Sequence, residues 1–235
     1  FIACKNALEK AEIRTDHISK DFIMNYQNFN EKISTASSLE DWFSIHDQLC
    51  DWMVKFDSIE DPNLSKMLSE QLDESDKIFK NFMSSEYENL ISSSKESLFT
   101  PFTIKNKIYN PLKKNRKCIL IIFDCLRADQ WKTMSNNLYN DFKISTDYQS
   151  SIIPSTTFYS RNSIFSGYFP IDLYNNHREL YNKMSSSESE YNKHEHELLK
   201  NQLNRLGLDD KSTGYIKVSS FEYGKSIVNN IADYK

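Results

Sequence analysis

The chain has 235 residues, with 29 Lys and Arg against 33 Asp and Glu, and a formal net charge of −4. Charged residues make up 26% and the apolar set 39%, the balance of a globular protein. The acidic excess excludes a protein that coats nucleic acid by charge, and no apolar run nears the roughly 18–20 residues of a membrane span.

The start, Phe1-Ile2-Ala3-Cys4-Lys5, has neither Met nor a signal-peptide layout, so a piece of a longer protein is expected. Cys4, Cys50, Cys118 and Cys125 form no C-x-x-C. Their apolar neighbours predict buried free thiols in a reducing compartment, and hence a cytoplasmic location.

The first hundred residues read as helices. Phe22, Tyr26, Phe29 and Ile33 step by four, three and four, one face of a helix. Residues 34–38 are a polar break. Ser38 with Asp41 approximates a capping box. Trp42, Ile45, Leu49, Trp52, Met53 and Phe56 form a second apolar stripe. Asp61-Pro62 restarts a helix, with Asp as N-cap and Pro at the first helical position. Leu64, Met67, Leu68, Leu72, Ile78, Phe79, Phe82 and Met83 line it. Short connections between such helices predict an antiparallel three-helix bundle over 1–95. His46 reads as a packed histidine, and Asp51, Asp57 and Asp61 as solvated faces and caps.

Residues 96–117 read as a linker. It is punctuated by Pro101 and Pro111 and closed by the basic run Lys113-Lys114-Asn115-Arg116-Lys117. The run either touches phosphate or forms a solvated edge. From Cys118 to Phe123 the sequence is continuously apolar, the pattern of a parallel strand buried on both faces. Residues 144–148, 150–153 and 215–218 read as further strands. Helices are expected from Thr156 or Thr157 to Phe165, with Gly167 as the terminating residue, and from Phe221 to Ala232. Alternation of strands and helices over 118–235 predicts a parallel α/β sheet. Residues 174–197 read as a mobile loop or cap insertion.

Asp124 would sit at the carboxyl end of the buried strand, where ligands bind in open α/β sheets. It either N-caps the residues after it or presents a carboxylate to a metal or proton. Thr157 would open a helix just after a strand, where free N–H groups favour an anion. A hydroxyl there becomes a nucleophile if a metal or base lowers its pKa. Arg161 lies one turn on, beside Asn162, and both offer donors to phosphoryl oxygens. The alternative is a threonine N-cap followed by an exposed arginine. His194 and His196 diverge by about 200° on a helix, which makes a solvated surface the better reading.

Asp124-Cys125-Leu126-Arg127-Ala128-Asp129-Gln130-Trp131 and the stretch from Pro154 to Gly167 resemble the PglZ branch of the alkaline phosphatase superfamily. With the bundle before them, they are most similar to PorX-type response regulators of Bacteroidetes. Those join a receiver, a three-helix bundle and a PglZ domain. On that resemblance, Phe1 to Leu8 matches the end of the receiver's last helix, and 118–235 the N-terminal part of the PglZ domain.

The resemblance implies a zinc-dependent phosphodiesterase or phosphatase with two metal ions. It makes Asp124 a metal ligand and Thr157 the nucleophile and a second ligand, with Thr156 the rival. Arg161 and Asn162 would bind phosphate. Substrates would be nucleotide-type phosphodiesters, such as oligonucleotides and cyclic-dinucleotide products. Implied partners are a sensor histidine kinase, a sigma factor and a second copy on phosphorylation, in control of type IX secretion. The family's other ligands, including an Asp-His pair in Thr-Asp-His-Gly, are expected beyond Lys235; Thr15-Asp16-His17 is followed by Ile18. The competing reading is a non-catalytic nucleotide-sensing or sigma-factor-docking module. A phage-defence PglZ context fits less well with the bundle and the receiver-like start.

Overall fold

A computed structural model describes residues 2–57, 59–93, 97–208 and 213–230, with side chains from residue 15 to 228 of these. The chain divides into two compact units, Phe1–Ser93 with Phe123–Gln149, and Ser94–Ile122 with Ser150–Lys235. Among the described residues no helix is long and apolar enough to cross a membrane.

The first unit is built on α1 (Ile2–Thr35), α2 (Leu39–Phe56) and α3 (Pro62–Ser92), each in contact with the other two. The connections are too short for anything but reversal of direction, so the helices run up, down and up. Both expected starts are present. At α2, Asp41 N–H donates to Ser38 Oγ at 3.2 Å, and Ser38 N–H donates to Asp41 Oδ2 at 2.9 Å. The Ser38 hydroxyl, donating to Asp41 Oδ2 at 2.7 Å, and then the Ser37 N–H hold the Asp41 carboxyl below its usual range. At α3, Asp61 Oδ1 accepts from the N–H groups of Asn63 and Leu64, with Pro62 at the first turn.

The predicted stripes meet in one core of Phe22, Phe29, Ile33, Trp42, Ile45, Leu49, Trp52, Phe56, Ile59, Leu64 and Leu68. Phe22 stands edge-on to Trp52 and Phe56 at 5.0 and 4.9 Å between centroids. Such contacts add about 0.5–1.5 kcal/mol each beyond area burial.

Helix α5 (Ala128–Ser135) packs on α2. Lys132 Nζ lies 2.7 Å from Asp47 and 2.6 Å from Asp51, and the Tyr148 hydroxyl donates to Asp47 at 2.5 Å. Asp51, expected on a solvated face, is therefore half of a cation clamp. Burial opposes the charge on Lys132, but the two carboxylates outweigh it and raise its pKa. Burial likewise opposes ionisation of Asp47. Its bonds from Lys132 and Tyr148 prevail and lower its pKa. His46 is exposed and edge-on to Tyr148, with its Nε2 3.6 Å from Cys50 Sγ.

The second unit holds α4 (Tyr109–Lys113), α6 (Thr157–Ser166), α7 (Pro170–Asn176), α8 (Arg178–Met184), α9 (Glu195–Arg205) and α10 (Phe221–Asn230). A π turn, Ile104–Ile108, precedes α4. Phe165, Leu173, Met184 and Leu198 form its core. Segment 174–197, expected to be a mobile loop or a cap insertion, is mostly helical and supplies Met184 to that core. Helix α10 matches the expected helix to Asn230; Ile231 and Ala232 lie outside the described residues.

The expected parallel sheet is not formed among the described residues. The one β contact there is a single parallel bridge, Phe99 to Ser150, with Thr100 N–H donating to Ser150 O at 2.9 Å and Ser150 N–H to Leu98 O at 2.8 Å. Residues 118–123, 144–148 and 215–218 belong to no strand. Ile119 is 74% and Ile121 67% exposed, the reverse of a buried central strand. An apolar run states a preference for burial, but a strand needs a neighbour to complete its ladder. The thiol expectation also changes. Cys50 is buried, Cys118 half-buried and Cys125 exposed; the Cys4 side chain lies outside the described residues.

Lys132→Met is expected to lower stability by about 1 kcal/mol, since the clamp is partly exposed. The effect should vanish in acid. Asp47, with a lowered folded pKa, contributes above its ordinary carboxylate pKa and loses that contribution as pH falls through the folded value. Lys132, with a raised pKa, contributes below the ordinary lysine value and loses that as pH rises through its folded one. Urea unfolding of both proteins at neutral pH and near pH 2 checks this.

Candidate active site

The chain enters the candidate site from buried Ile152 and passes a cis Ile153–Pro154 bond. Thr156 takes the N-cap position of α6 in extended conformation, but its side chain makes no capping bond. Thr157 is the first helical residue, and both threonines are exposed. The expected end of the helix is present. Gly167 adopts φ +68°, and its N–H donates to Ser163 O at 2.8 Å.

Arg161, one turn after Thr157, is not the exposed arginine of the N-cap alternative. Its side chain is 19% exposed, and Nη2 lies 2.6 Å from Glu195 Oε2. Glu195 is 0% exposed and opens α9. The Tyr215 hydroxyl donates to the same Oε2, while Oε1 has no hydrogen-bond partner among the described residues. Burial, and then the bond to Glu195, hold the Tyr215 hydroxyl well above the ordinary tyrosine pKa, so it stays a donor.

Asn162 is buried. Its Nδ2 donates to Phe158 O at 2.8 Å and to Tyr191 O at 2.9 Å, which occupies both amide hydrogens within the fold. At the other end of α6, Arg205 Nη2 donates to Ser166 O at 2.7 Å. In its hydrogen-bonded orientation, the Gln202 amide donates to Ile164 O and Phe165 O at 3.1 and 2.9 Å. Helix α9 thus holds α6 at its middle, through Arg161, and at its last turn.

Asp124 belongs to the first unit, in an exposed turn. Cys125 follows in the left-handed region at φ +60°, a conformation that costs a residue with a Cβ roughly 1–2 kcal/mol. Arg127 and Asp129 pair with each other, Nε to Oδ1 at 3.0 Å and Nη2 to Oδ2 at 2.6 Å. Thr157, Arg161 and Asn162 belong to the second unit.

Among the described residues no group of three or more His, Cys, Asp or Glu is placed to hold a metal ion. His194 is mostly buried between Glu190 and Glu197, and His196 stacks on Tyr215 at 5.7 Å. Both residues are half-buried, in place of the expected solvated surface. Glu195 itself is missed by the charged look of 188–197. Its signal is its register with Leu198 and Gln202, positions i, i+3 and i+7 of one helix face.

Gly167→Ala tests the α6–α9 contact. A Cβ there would collide with the Gln202 amide and lie 2.9 Å from Arg205 Nη2. The buried Gln202 cannot yield without releasing two carbonyls. The expected loss is about 2 kcal/mol or more, from the left-handed backbone and the collision together, read as a fall in the urea midpoint.

Residues 12–91 match the PorX response regulator linker domain, and residues 103–229 match the BREX system PglZ alkaline phosphatase-like domain. No curated protein matches the chain. The α1–α3 bundle coincides with the linker match, and the Asp124 turn and the Thr157 helix both fall inside the PglZ match. The chain belongs to the PglZ alkaline phosphatase-like family, and its PglZ domain follows a response regulator linker as in a PorX-like protein.

Proposed function

We propose that this chain is part of a response regulator whose PglZ domain is a zinc-dependent phosphodiesterase or phosphatase for nucleotide-type phosphodiesters. The observation that carries the reading is Thr157. It is an exposed hydroxyl at the first turn of a helix held at its middle and last turn, inside the PglZ match. Thr157 Oγ1 would pass its proton to solvent water and bond to phosphorus as the ester P–O bond breaks, the leaving oxygen taking a proton from water. Water would then cleave the phospho-threonine. The N–H groups of the first turn of α6, without a capping bond from the Thr156 side chain, suit the phosphoryl charge.

Arg161 and Asn162, expected at the phosphate, fit better as supports of α6, because Glu195 and Tyr191 engage them. Asp124 is proposed as a metal ligand. The Asp124 carboxylate and the Thr157 hydroxyl offer oxygen donors that zinc accepts, yet a catalytic zinc takes three protein ligands. The described residues do not complete such a set, and each step above uses the chain's own groups and water. The 118–123 run, mostly exposed here, is proposed as a strand of the α/β sheet in the whole protein.

A response regulator takes its signal from a sensor histidine kinase. Dimerisation on phosphorylation, a sigma-factor partner and control of type IX secretion complete the proposal. The competing reading is a non-catalytic nucleotide-sensing or sigma-factor-docking module.

Two measurements on the full-length protein separate the readings. Elemental analysis is expected to find about two zinc ions per chain, falling in Asp124→Ala. Hydrolysis of a dinucleotide is expected to fall to background in Thr157→Val and to persist in Thr156→Val. A metal-free, inactive wild type supports the sensing module instead.

A further inference from the structure

Glu195 is the one fully buried acidic side chain among the described residues. Burial of a carboxylate with its cation is often no more stabilising than an apolar pair of the same volume. What the pair adds is direction. Its Oε2 takes Arg161 Nη2 at 2.6 Å and the Tyr215 hydroxyl, so an α9 residue fixes the rotamer of an α6 residue one turn from Thr157. Asn162 adds two bonds on the same turn, and Asn192 Nδ2 reaches Thr157 O at 3.5 Å. The first turns of α6 are therefore held by side chains and by the segment leading into α9, with Glu195 at the centre.

We propose that Glu195 is a positioning residue of the Thr157 site, acting through Arg161 to fix the turn that carries the nucleophile. This rests on the reading of Thr157 as nucleophile. Glu195 touches no substrate. Its effect should appear in turnover and leave binding alone.

The test compares full-length wild type, Thr157→Val, Glu195→Gln and Tyr215→Phe on bis(p-nitrophenyl) phosphate, with unfolding midpoints recorded for each. Glu195→Gln keeps the shape and removes the charge that orients Arg161. It is expected to lower kcat by about 10-fold or more, the usual effect of losing a supporting contact behind a reacting group, with KM unchanged. Tyr215→Phe keeps the Arg161 pair and should keep kcat. If Glu195→Gln does not fold, Glu195→Asp replaces it. That variant retains the charge on a shorter arm and should show the same loss of kcat with KM unchanged. A wild-type kcat in the folded Glu195 variant, with Thr157→Val inactive, overturns the positioning role and leaves the nucleophile standing. Activity in Thr157→Val overturns the nucleophile and the positioning role with it.

Discussion

A carboxylate sealed from water must be neutralised by its neighbours or protonated, since an isolated buried charge costs far more than a small domain's whole stability. Glu195 meets this condition through Arg161 and Tyr215. The arrangement of the second unit depends on that pairing. It sets α9 across α6, and the crossing brings Gln202 and Arg205 to the last carbonyls of α6. Arg205 also complements the negative end of the α6 dipole, as a cation at a helix C-terminus should. Leu198, between Glu195 and Gln202 on the same face, contributes the apolar part of the contact. One helix therefore supplies a charge, an apolar residue and an amide in register, each matched to a different level of α6.

The first unit is held differently. Its core is aromatic and continuous, and its charges lie at the edge. Lys132 between Asp47 and Asp51 docks α5 onto α2. Consequently residues 123–149, which continue the PglZ sequence, pack in space with the linker helices. Asp124 lies four residues before the start of α5.

The helices were legible in the sequence because their signals are local. Ser38 with Asp41, Asp61 with Pro62, and Gly167 each act within four residues, and each does in the structure what its chemistry predicts. The stripes from Phe22 to Ile33 and from Trp42 to Phe56 are equally local and meet as expected. The sheet was not legible in the same way. Strand formation is a property of pairs, and the Cys118–Phe123 run carries no information about a neighbour. The Arg161–Glu195 pair escaped for a related reason. Its members are 34 residues apart, and a glutamate between two histidines in a polar stretch reads as surface until its helical register with Leu198 is considered.

The proposal of Thr157 rather than Thr156 as nucleophile rests on backbone position. Two adjacent hydroxyls cannot be told apart by residue type. Their backbone positions differ, however. Thr156, at the N-cap, has the conformation in which a threonine normally accepts from an N–H two or three residues on, and it does not do so. The early N–H groups of α6, which have no partner within a helix, are left without that cap. Thr157 already has helical geometry, so the α6–α9 contacts that fix the helix also fix its Cα–Cβ direction. A nucleophile gains rate from being held before the substrate arrives. The residue within the helix meets that requirement better than the one at its edge.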